Sequence, residues 1–390
     1  MTVTDPTKAV IPILSAANFV IGMGAFMVVG AMIPVAEDLG IAPATAGRLM
    51  IFYAMGYAIL SPLLVALTGT VGRRRVLAIG MALFALANLV AALAHGPGIL
   101  FASRILAAAG AGLLTPVAAN VAATLSTPER RASALSAVFF GLTLSQVAGV
   151  PAGGFIAYTF GWRAAFALVA LLSLPFITLI WLRVPAGLRV PPVSLGDLGR
   201  TLGSPRHLVA LLFTCVFTGS TYILFTYISP LLGERMAFGR DGITLFLLAS
   251  GLGAVAGNLL GGFLCDRLGP ARTLALLALV EGCLLPAFSW LPLPVPLVFA
   301  LGFLWSVFGW SFNAPQQLRL ITLDPGRASV LLALNAGGIY IGSAIGAWIG
   351  AALLAARGLD ALGLAAGLGV FSAIAVLALG EAMARRPAQP

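Results

Sequence analysis

The sequence predicts an all-α membrane protein whose twelve transmembrane helices form two pseudo-symmetric bundles of six. Composition is the first observation behind this prediction. Sixty per cent of the 390 residues are hydrophobic and 9% are charged, and the mean hydropathy is +1.06, whereas soluble domains are about 25% charged. Only 22 basic and 12 acidic side chains are available to cover a surface. The apolar residues must therefore face lipid.

Twelve long apolar runs are the second observation. A helix that crosses a hydrocarbon core about 30 Å thick needs roughly 20 mostly apolar residues. The first run begins near Ala9 and is too long for a signal-peptide core, so it is interpreted as a span and not as a cleaved leader. The alternating ten-residue segments of a membrane barrel are not visible. The predicted spans are residues 10–31, 46–68, 76–94, 98–122, 131–158, 163–182, 208–232, 242–264, 272–291, 296–319, 328–355 and 360–380.

The distribution of basic residues predicts the orientation of these spans. If the N-terminus lies in the cytoplasm, sixteen of the 22 Lys and Arg residues fall on the cytoplasmic side. Basic residues concentrate in cytoplasmic loops, so both termini are predicted to be cytoplasmic in a multi-pass protein of the cell (inner) membrane. The cytoplasmic group includes Lys8, Arg189, Arg385 and Arg386.

An internal repeat is the third observation. Residues 183–206 are rich in proline and arginine, which is typical of a linker. The predicted domains are therefore an N-terminal bundle at 1–182, a cytoplasmic linker at 183–206 and a C-terminal bundle at 207–390. Two parallel six-helix repeats are typical of one large transporter architecture, with its substrate site near the membrane midplane. A shift of 197 residues superposes Leu67 on Leu264, Gly72 on Gly269, Arg75 on Arg272, Pro128 on Pro325, Arg130 on Arg327, Gly141 on Gly338, Gly149 on Gly346 and Gly153 on Gly350.

The loop between the eighth and ninth spans carries a recognisable motif. Its residues Gly262, Asp266, Arg267 and Gly269 resemble the loop signature G-x-L-x-D-R-x-G of the major facilitator superfamily. An acid at this position can cap the positive N-terminus of a neighbouring helix, which implies a gating role for the loop. The alternative is that the loop only anchors the chain on the cytoplasmic face. The first-half copy has Gly69 in place of the acid and keeps Gly72, Arg73 and Arg74.

The fifth span carries a second motif, which is similar to the antiporter signature of the same superfamily. Glycine and proline in a lipid-embedded helix permit a bend and close packing against a neighbour. The match is partial, because the glycines before the proline are out of register with the signature. The resemblance implies export rather than import, and the alternative is plain helix packing. The residues concerned are Gly141, Gly149, Pro151, Gly153 and Gly154.

Other segments place the resemblance more narrowly. Three segments are similar to the twelve-span drug:proton antiporter branch, and within it to arabinose-efflux-like permeases. They are the Gly-Val-Pro sequence of the fifth span, residues 225–232 of the seventh and residues 257–262 of the eighth. The resemblance covers nearly the whole chain. It implies a major facilitator fold and a proton-coupled exporter that works by alternating access. Relatives in this branch are assigned sugars, drugs and other small molecules.

Three charged residues are candidates for coupling. Burying an ionisable group inside the membrane costs free energy, so such groups usually mark functional sites. Arg104 lies about six residues, roughly 9 Å, into the fourth span and resembles an arginine of the family; the alternative is that it reaches to the outer interface. Glu281 lies about ten residues into the ninth span, where apolar surroundings disfavour its charged form. It is interpreted either as a proton carrier or as a structural group. Asp266, at the cytoplasmic edge, is the third candidate.

Uncharged polar and aromatic side chains within the spans are candidates for the substrate cavity. As a group they predict a largely apolar pocket with a few hydrogen-bonding points, which suits an uncharged or amphipathic solute. Taken singly, each of them is interpreted as an interhelical hydrogen bond before a contact to a ligand. The candidates are Asn18, Tyr53, Tyr57, Asn120, Gln146, Tyr222, Tyr227, Asn258, Trp310, Asn313, Gln316, Asn335 and Tyr340.

The sequence argues against several other functions. No cluster of acid, base and metal-binding residues predicts a catalytic centre, a metal site or a cofactor, and no phosphate-binding loop of the G-x-x-x-x-G-K-[ST] type is present. The basic residues are scattered, which disfavours nucleic acid as a partner. We therefore expect a monomer in the lipid bilayer that binds a small solute and protons. A uniporter, an importer, a channel and a multi-span receptor or enzyme remain alternatives.

Overall fold

The structure is a computed structural model that describes residues 6–127, 130–188 and 195–384. Within these ranges the chain forms helices joined by short turns, and no strand occurs. Twelve helical segments are long and apolar enough to cross a membrane, which confirms the predicted fold class and number of spans. Pro128 of the repeat, the linker residues Pro191 and Pro192, and Arg189, Arg385 and Arg386 of the orientation count lie outside the described residues. The side chain of Lys8 does so too.

The first six spans are formed by eight helices. The fifth span consists of two helices, α6 and α7, joined by a π-helical turn at Ser145–Gly149. The first helix extends to Leu39, so the predicted end at residue 31 was wrong. Glu37 and Asp38 are exposed near its C-terminal end, where charged side chains do not terminate a helix. The helices are α1 (Pro6–Leu39), α2 (Pro43–Ala46), α3 (Arg48–Leu67), α4 (Arg73–Ala92), α5 (Pro97–Leu125), α6 (Arg131–Leu144), α7 (Val150–Phe160) and α8 (Trp162–Arg183).

The remaining helices form a short segment after the linker and the last six spans. Several begin with proline in the first turn, where a missing N–H costs no helical hydrogen bond. Gly269 separates the eighth and ninth spans with φ of 76°, a conformation that favours glycine. The helices are α9 (Leu195–Leu202), α10 (Pro205–Phe225), α11 (Ile228–Met236), α12 (Arg240–Leu268), α13 (Pro270–Leu284), α14 (Val295–Trp310), α15 (Asn313–Leu323), α16 (Ala328–Arg357) and α17 (Ala361–Ala384).

The chain packs into two compact units. The first comprises Met1–Gly40 and Met55–Val193, and the second comprises Ile41–Ala54 and Ser194–Pro390. The second unit therefore includes α2 and the beginning of α3 as well as the last six spans. The division into domains at residues 182 and 206 stays a prediction.

Matching glycines hold equivalent helices together in the two units. In the first unit, a Cβ on Gly149 would lie 2.9 Å from Cβ of Met23 on α1. In the second unit, a Cβ on Gly346 would overlap the carbonyl oxygen of Gly219 on α10. Gly149 and Gly346 are related by the shift of 197 residues. The absence of a side chain therefore lets the fifth span approach α1, and α16 approach α10, at equivalent points.

An ion pair at one end of each unit obeys the same shift of 197 residues, with its charges exchanged. Arg163 Nη1 lies 2.6 Å from Asp38 Oδ2 and joins α8 to α1. Arg235 Nη2 lies 2.8 Å from Asp360 Oδ2 and joins α11 to the start of α17. Residue 38 corresponds to 235, and residue 163 corresponds to 360. Both repeats therefore have the ion pair at equivalent positions, but the acid and the base have changed places. The two pairs are related by their position in the fold and not by identical residues. We call these two pairs the outer clasps, because the predicted orientation places both on the outer side.

Candidate functional site

A partly open pocket lies within the second unit between α10, α14, α15 and α16. Tyr222, Trp310 and Asn313 were predicted to line a cavity and do line this one. The other lining residues were missed by the sequence analysis. The complete wall consists of Phe217, Thr218, Thr221, Tyr222, Phe225, Trp305, Ser306, Gly309, Trp310, Phe312, Asn313 and Ile339.

Aromatic rings form half of this wall, and the lining side chains include no acid and no base. The rings pack on one another: the centroids of Phe217 and Phe312 are 5.0 Å apart, and those of Phe225 and Trp305 are 6.0 Å apart. Such packing fixes a rigid apolar surface that suits the face of another ring. The half-buried amide of Asn313 and the hydroxyl of Thr221 supply hydrogen-bonding points. The pocket therefore suits an amphipathic solute with an apolar or aromatic body.

Glu281 lies directly behind this wall. It is fully buried on α13, and its Oε1 accepts a hydrogen bond of 2.8 Å from Thr221 Oγ1. A Cβ on Gly309, another wall residue, would be 3.1 Å from the same oxygen. The side chain of Trp305, another wall residue, also interacts with this carboxyl as a hydrogen-bond donor, and no ion pair to Glu281 occurs in the described ranges. Burying an acid in the membrane without a cationic partner costs free energy, so Glu281 remains a candidate functional residue.

The repeat provides an internal comparison for Glu281. A shift of 197 residues relates Glu281 to Phe84 and Thr221 to Gly24. In the first unit the ring of Phe84 packs against Gly24, since a Cβ there would lie 2.8 Å from the ring. An apolar side chain therefore fills the equivalent space in the same fold. Packing alone does not require an acid at this position.

Arg104 is buried within the first unit and does not extend to the outer interface. Its Nη1 donates to the carbonyl oxygen of Gly24 at 2.8 Å, and its Nη2 donates to that of Ala25 at 2.7 Å. The guanidinium also lies 5.9 Å from the ring centroid of Phe166. Arg104 thus joins α5 to the backbone of α1. Its predicted role in coupling stays a prediction.

Three cavity candidates join helices through hydrogen bonds. In the first unit, Asn18 on α1 accepts from Thr115 at 2.8 Å and contacts the carbonyl of Val138. In the second unit, Thr214 donates to Asn335 at 2.6 Å and accepts from Gln316 at 2.9 Å. Both clusters join the equivalent helices of the two repeats. These side chains are interhelical contacts, as the alternative interpretation expected.

The remaining cavity candidates lie away from the pocket wall. Tyr227 donates to the carbonyl of Ala347 at 2.9 Å. The rings of Tyr53 and Tyr340, both in the second unit, meet edge to face at 6.3 Å. The other candidates are Tyr57, which is buried, Gln146, which is buried in the π-helical turn, and Asn120 and Asn258, which are half-buried.

The glycines of the antiporter-like motif line the contact between the fifth span and α1. A Cβ on Gly153 would lie 2.5 Å from Cβ of Met27, and one on Gly141 would overlap the carbonyl of Ser15. Gly154 lies against Gly30. The π-helical turn immediately precedes Val150 and Pro151, and proline cannot donate the helical hydrogen bond at its position. The motif therefore produces close packing and an irregular turn, while its link to antiport stays a prediction.

The loop motif occupies the end of α12. Asp266 and Arg267 are exposed, and the Arg267 guanidinium lies 4.3 Å from the ring centroid of Phe263. Gly262 faces open space, and Gly269 forms the turn into α13. In the first-half copy, the Arg74 guanidinium lies 4.7 Å from the Trp181 ring, Arg73 is buried at the start of α4 and Gly72 precedes it. The gating role of Asp266 stays a prediction.

Twelve helical spans, a repeated arrangement of interhelical contacts and a largely apolar pocket define a membrane transporter. Comparison with known families agrees, because residues 14–333 match the model of the Major Facilitator Superfamily. The chain belongs to that superfamily. This membership confirms the resemblance recognised from the two motifs and identifies the protein as a transporter of that superfamily.

Relatives place the chain near drug-resistance proteins and permeases. It is 32% identical over 352 residues to the chloramphenicol resistance protein of Streptomyces lividans, with 88% of each chain covered. It is 30% identical over 346 residues to the inner membrane transport protein YdhP of Escherichia coli K12, with 88% of each covered. It is 25% identical over 351 residues to the putative transporter AraJ of E. coli K12, covering 89% of this chain and 88% of AraJ.

A solved structure has the same fold. The inward-facing, unoccupied crystal structure of a bacterial homologue of the human lysosomal transporter Spinster matches with a TM-score of 0.81 at 17% identity. The match covers 99% of this chain and all of that one. Similarity at this level of identity concerns the fold alone.

Proposed function

We propose that the protein is a secondary active transporter that exports a small uncharged or amphipathic solute in exchange for protons. The buried carboxyl of Glu281, one side chain behind the wall of an aromatic pocket, is the observation that carries this proposal. A proton that binds at Glu281 and a solute in the pocket would each be in contact with Thr221. Alternating access by rocking of the two halves, as the family fold implies, would move both across the membrane.

The pocket favours drug-like solutes over sugars. Sugars need many hydrogen-bonding partners, whereas half of the lining residues here are aromatic. An anion is disfavoured, because the wall contains no basic side chain and an acid lies behind it. The name of the S. lividans relative points the same way, since chloramphenicol has an aromatic ring with amide and hydroxyl groups.

Export, rather than import, rests on the fifth span. Its glycines and π-helical turn give the span the close packing against α1 that the antiporter-like motif implies. We further propose a monomer in the cell membrane with both termini in the cytoplasm. A facilitative uniporter, an importer and a non-transporting receptor are the competing functions, and each predicts a different outcome in vesicles.

The test is transport by purified protein in liposomes with an imposed pH gradient, with labelled chloramphenicol as the first solute. We expect accumulation against its concentration gradient only when protons flow the other way. Glu281→Gln should abolish accumulation and retain downhill exchange. Equilibration without accumulation would identify a uniporter, and accumulation in the direction of proton flow would identify an importer.

A matched control separates the buried acid from charge in general. Glu37→Gln makes the same substitution at an exposed glutamate near the outer end of α1 and should leave accumulation intact. Normal accumulation by Glu281→Gln would assign Glu281 to the structure and leave Asp266 as the next candidate for coupling.

A further inference from the structure

Some polar side chains of the pocket wall already form hydrogen bonds within the protein. On α10, Thr218 donates to the carbonyl oxygen of Thr214 at 2.7 Å, and Thr221 donates to Glu281 Oε1 at 2.8 Å. A solute gains little from such groups, because an existing hydrogen bond would have to be broken first. The other wall side chains that are engaged in this way are Tyr222 and Trp305.

The remaining polar side chains of the wall are not engaged. Among the residues that the structure describes, no hydrogen bond is formed by the side chains of Ser306, Trp310 and Asn313. Ser306 is buried on α14, whereas Trp310 and Asn313 are half-buried where α14 ends and α15 begins. They offer a hydroxyl, an indole N–H and an amide. We call these three residues the polar edge of the pocket.

Neighbouring residues hold the backbone of Asn313 in place. Ser311, two residues earlier, donates to the carbonyl oxygen of Gly257 on α12 at 2.7 Å. The ring of Phe312 packs against the ring of Phe217 on α10, with centroids 5.0 Å apart. Two helices therefore fix the chain immediately before Asn313. A hydrogen-bonding group that is positioned in advance distinguishes between ligands better than a mobile one.

The repeat shows that helix packing does not require polar groups at the polar edge. In the first unit, α5 contains the residues that the shift of 197 relates to α14 and α15. The equivalents of Ser306, Trp310 and Asn313 are all apolar, so the same fold forms without a hydroxyl, an indole or an amide at these positions. These equivalents are Ala109, Leu113 and Pro116.

Removal of water makes the polar edge selective. A solute that enters the pocket displaces water from Ser306, Trp310 and Asn313. A purely apolar solute would leave these groups unpaired and lose affinity, whereas an amide would replace the lost hydrogen bonds. Sites that hydrogen-bond their ligand reject analogues without the bonding group for this reason. A charge on the solute is not needed, because the lining side chains include no acid and no base.

We infer that Asn313 is the specificity-determining residue of the pocket, and that its solutes are uncharged aromatic compounds with an amide group. This inference rests on the proposed function and names its substrate class. Asn313 Oδ1 accepts a hydrogen bond from the amide N–H of the solute. The donors of the polar edge, which are Asn313 Nδ2, Ser306 Oγ and Trp310 Nε1, bind its carbonyl oxygen. The aromatic body of the solute packs against the rings of the wall.

The experiment measures equilibrium binding of labelled chloramphenicol to the purified full-length protein without a pH gradient. The comparison compound is its ester isostere, in which oxygen replaces the amide N–H. The wild type should bind the amide about tenfold more tightly than the ester. In Asn313→Leu and Asn313→Ala the two compounds should bind equally, because the acceptor for the N–H is gone. The matched control Asn258→Leu changes a half-buried asparagine of α12 away from the pocket wall and should keep the tenfold preference.

The outcomes separate this inference from the proposed function. Binding of the ester reports that a variant has kept its pocket, and Asn313→Ala removes the amide without adding bulk. A preference for the amide that persists in Asn313→Ala would overturn the role of Asn313. Equal affinity of the wild type for both compounds, or binding of neither, would overturn the substrate class. The proposed function fails separately if the wild type prefers the amide but does not accumulate it in liposomes when protons flow the other way.

Discussion

The outer clasps predict that their charges can be exchanged in the second unit at little cost. Arg235→Asp combined with Asp360→Arg gives the second unit the polarity that the first unit has at the equivalent positions. The side chains are 34% and 52% exposed in this pair, and 39% and 48% exposed in the Arg163–Asp38 pair. Exposed ion pairs contribute about 0.2–1 kcal/mol, and like charges destabilise by a similar amount. Each single reversal should therefore cost roughly 0.4–2 kcal/mol.

The two clasps should differ in how far the double exchange restores stability. In the second unit it should restore most of the loss. The remainder reflects Glu234, whose Oε1 lies 3.8 Å from Arg235 Nη2 and would face an aspartate at position 235 instead of an arginine. In the first unit, Asp38 also accepts a hydrogen bond of 3.0 Å from the indole of Trp162, which an arginine at position 38 cannot accept. Arg163 also donates to the carbonyl oxygen of Ala94 from Nη2 at 3.0 Å and from Nε at 3.2 Å, which an aspartate at position 163 cannot do. At about 1 kcal/mol for the contact to Trp162 and about 1 kcal/mol for the contact to Ala94, the exchanged first clasp should remain about 2 kcal/mol less stable than the wild type.

Thermal unfolding of the single and double variants in one detergent measures these differences. About 1 kcal/mol corresponds to roughly 2–4 °C in Tm for a unit of 150–250 residues. The losses in the single variants should shrink at high salt, because salt screens exposed charges. If the second-unit double variant is no more stable than its singles, the clasp is not an electrostatic contact and the reasoning fails.

Three further predictions concern packing, gating and the interhelical hydrogen bonds. Gly153→Leu should abolish transport and destabilise the protein by about 1–3 kcal/mol. The control Gly337→Leu changes a glycine of α16 that faces open space, and it should retain folding in a fluorescence-detected chromatography assay. Full transport by Gly153→Leu would contradict the packing role. Asp266→Asn should change the populations of the inward- and outward-facing states more than it changes the stability of the fold. Distance measurements across the cytoplasmic side can show this change. Identical distance distributions in the variant and the wild type would rule out a helix-capping role. Asn335→Leu leaves the Thr214 hydroxyl without its acceptor and should lower Tm without changing the proton stoichiometry of transport. A changed stoichiometry would contradict the purely structural role of Asn335.

The sequence by itself determined the class of protein, the number of spans and the repeat. Hydropathy is a sum over neighbouring residues, so a run of about 20 apolar residues specifies a spanning helix whatever it packs against. The repeat was equally visible, because glycines such as Gly149 and Gly346 must recur wherever equivalent helices approach closely. The same local reasoning placed Glu281 deep in a span and identified Arg104 as buried or interfacial, without deciding between the two.

Only the tertiary structure decided which polar side chains belong to the pocket. Asn18, Gln316 and Asn335 looked like cavity residues but form hydrogen bonds between helices, whereas Thr221 and Trp305 were overlooked. A threonine in a helix usually bonds a backbone carbonyl of the preceding turn, so nothing in the chain marks Thr221 as different. Its role depends on the rotation of α10 about its axis, which brings one hydroxyl against a carboxyl 60 residues away. Such rotations are set by packing between helices, and hydropathy along a single helix carries no information about them.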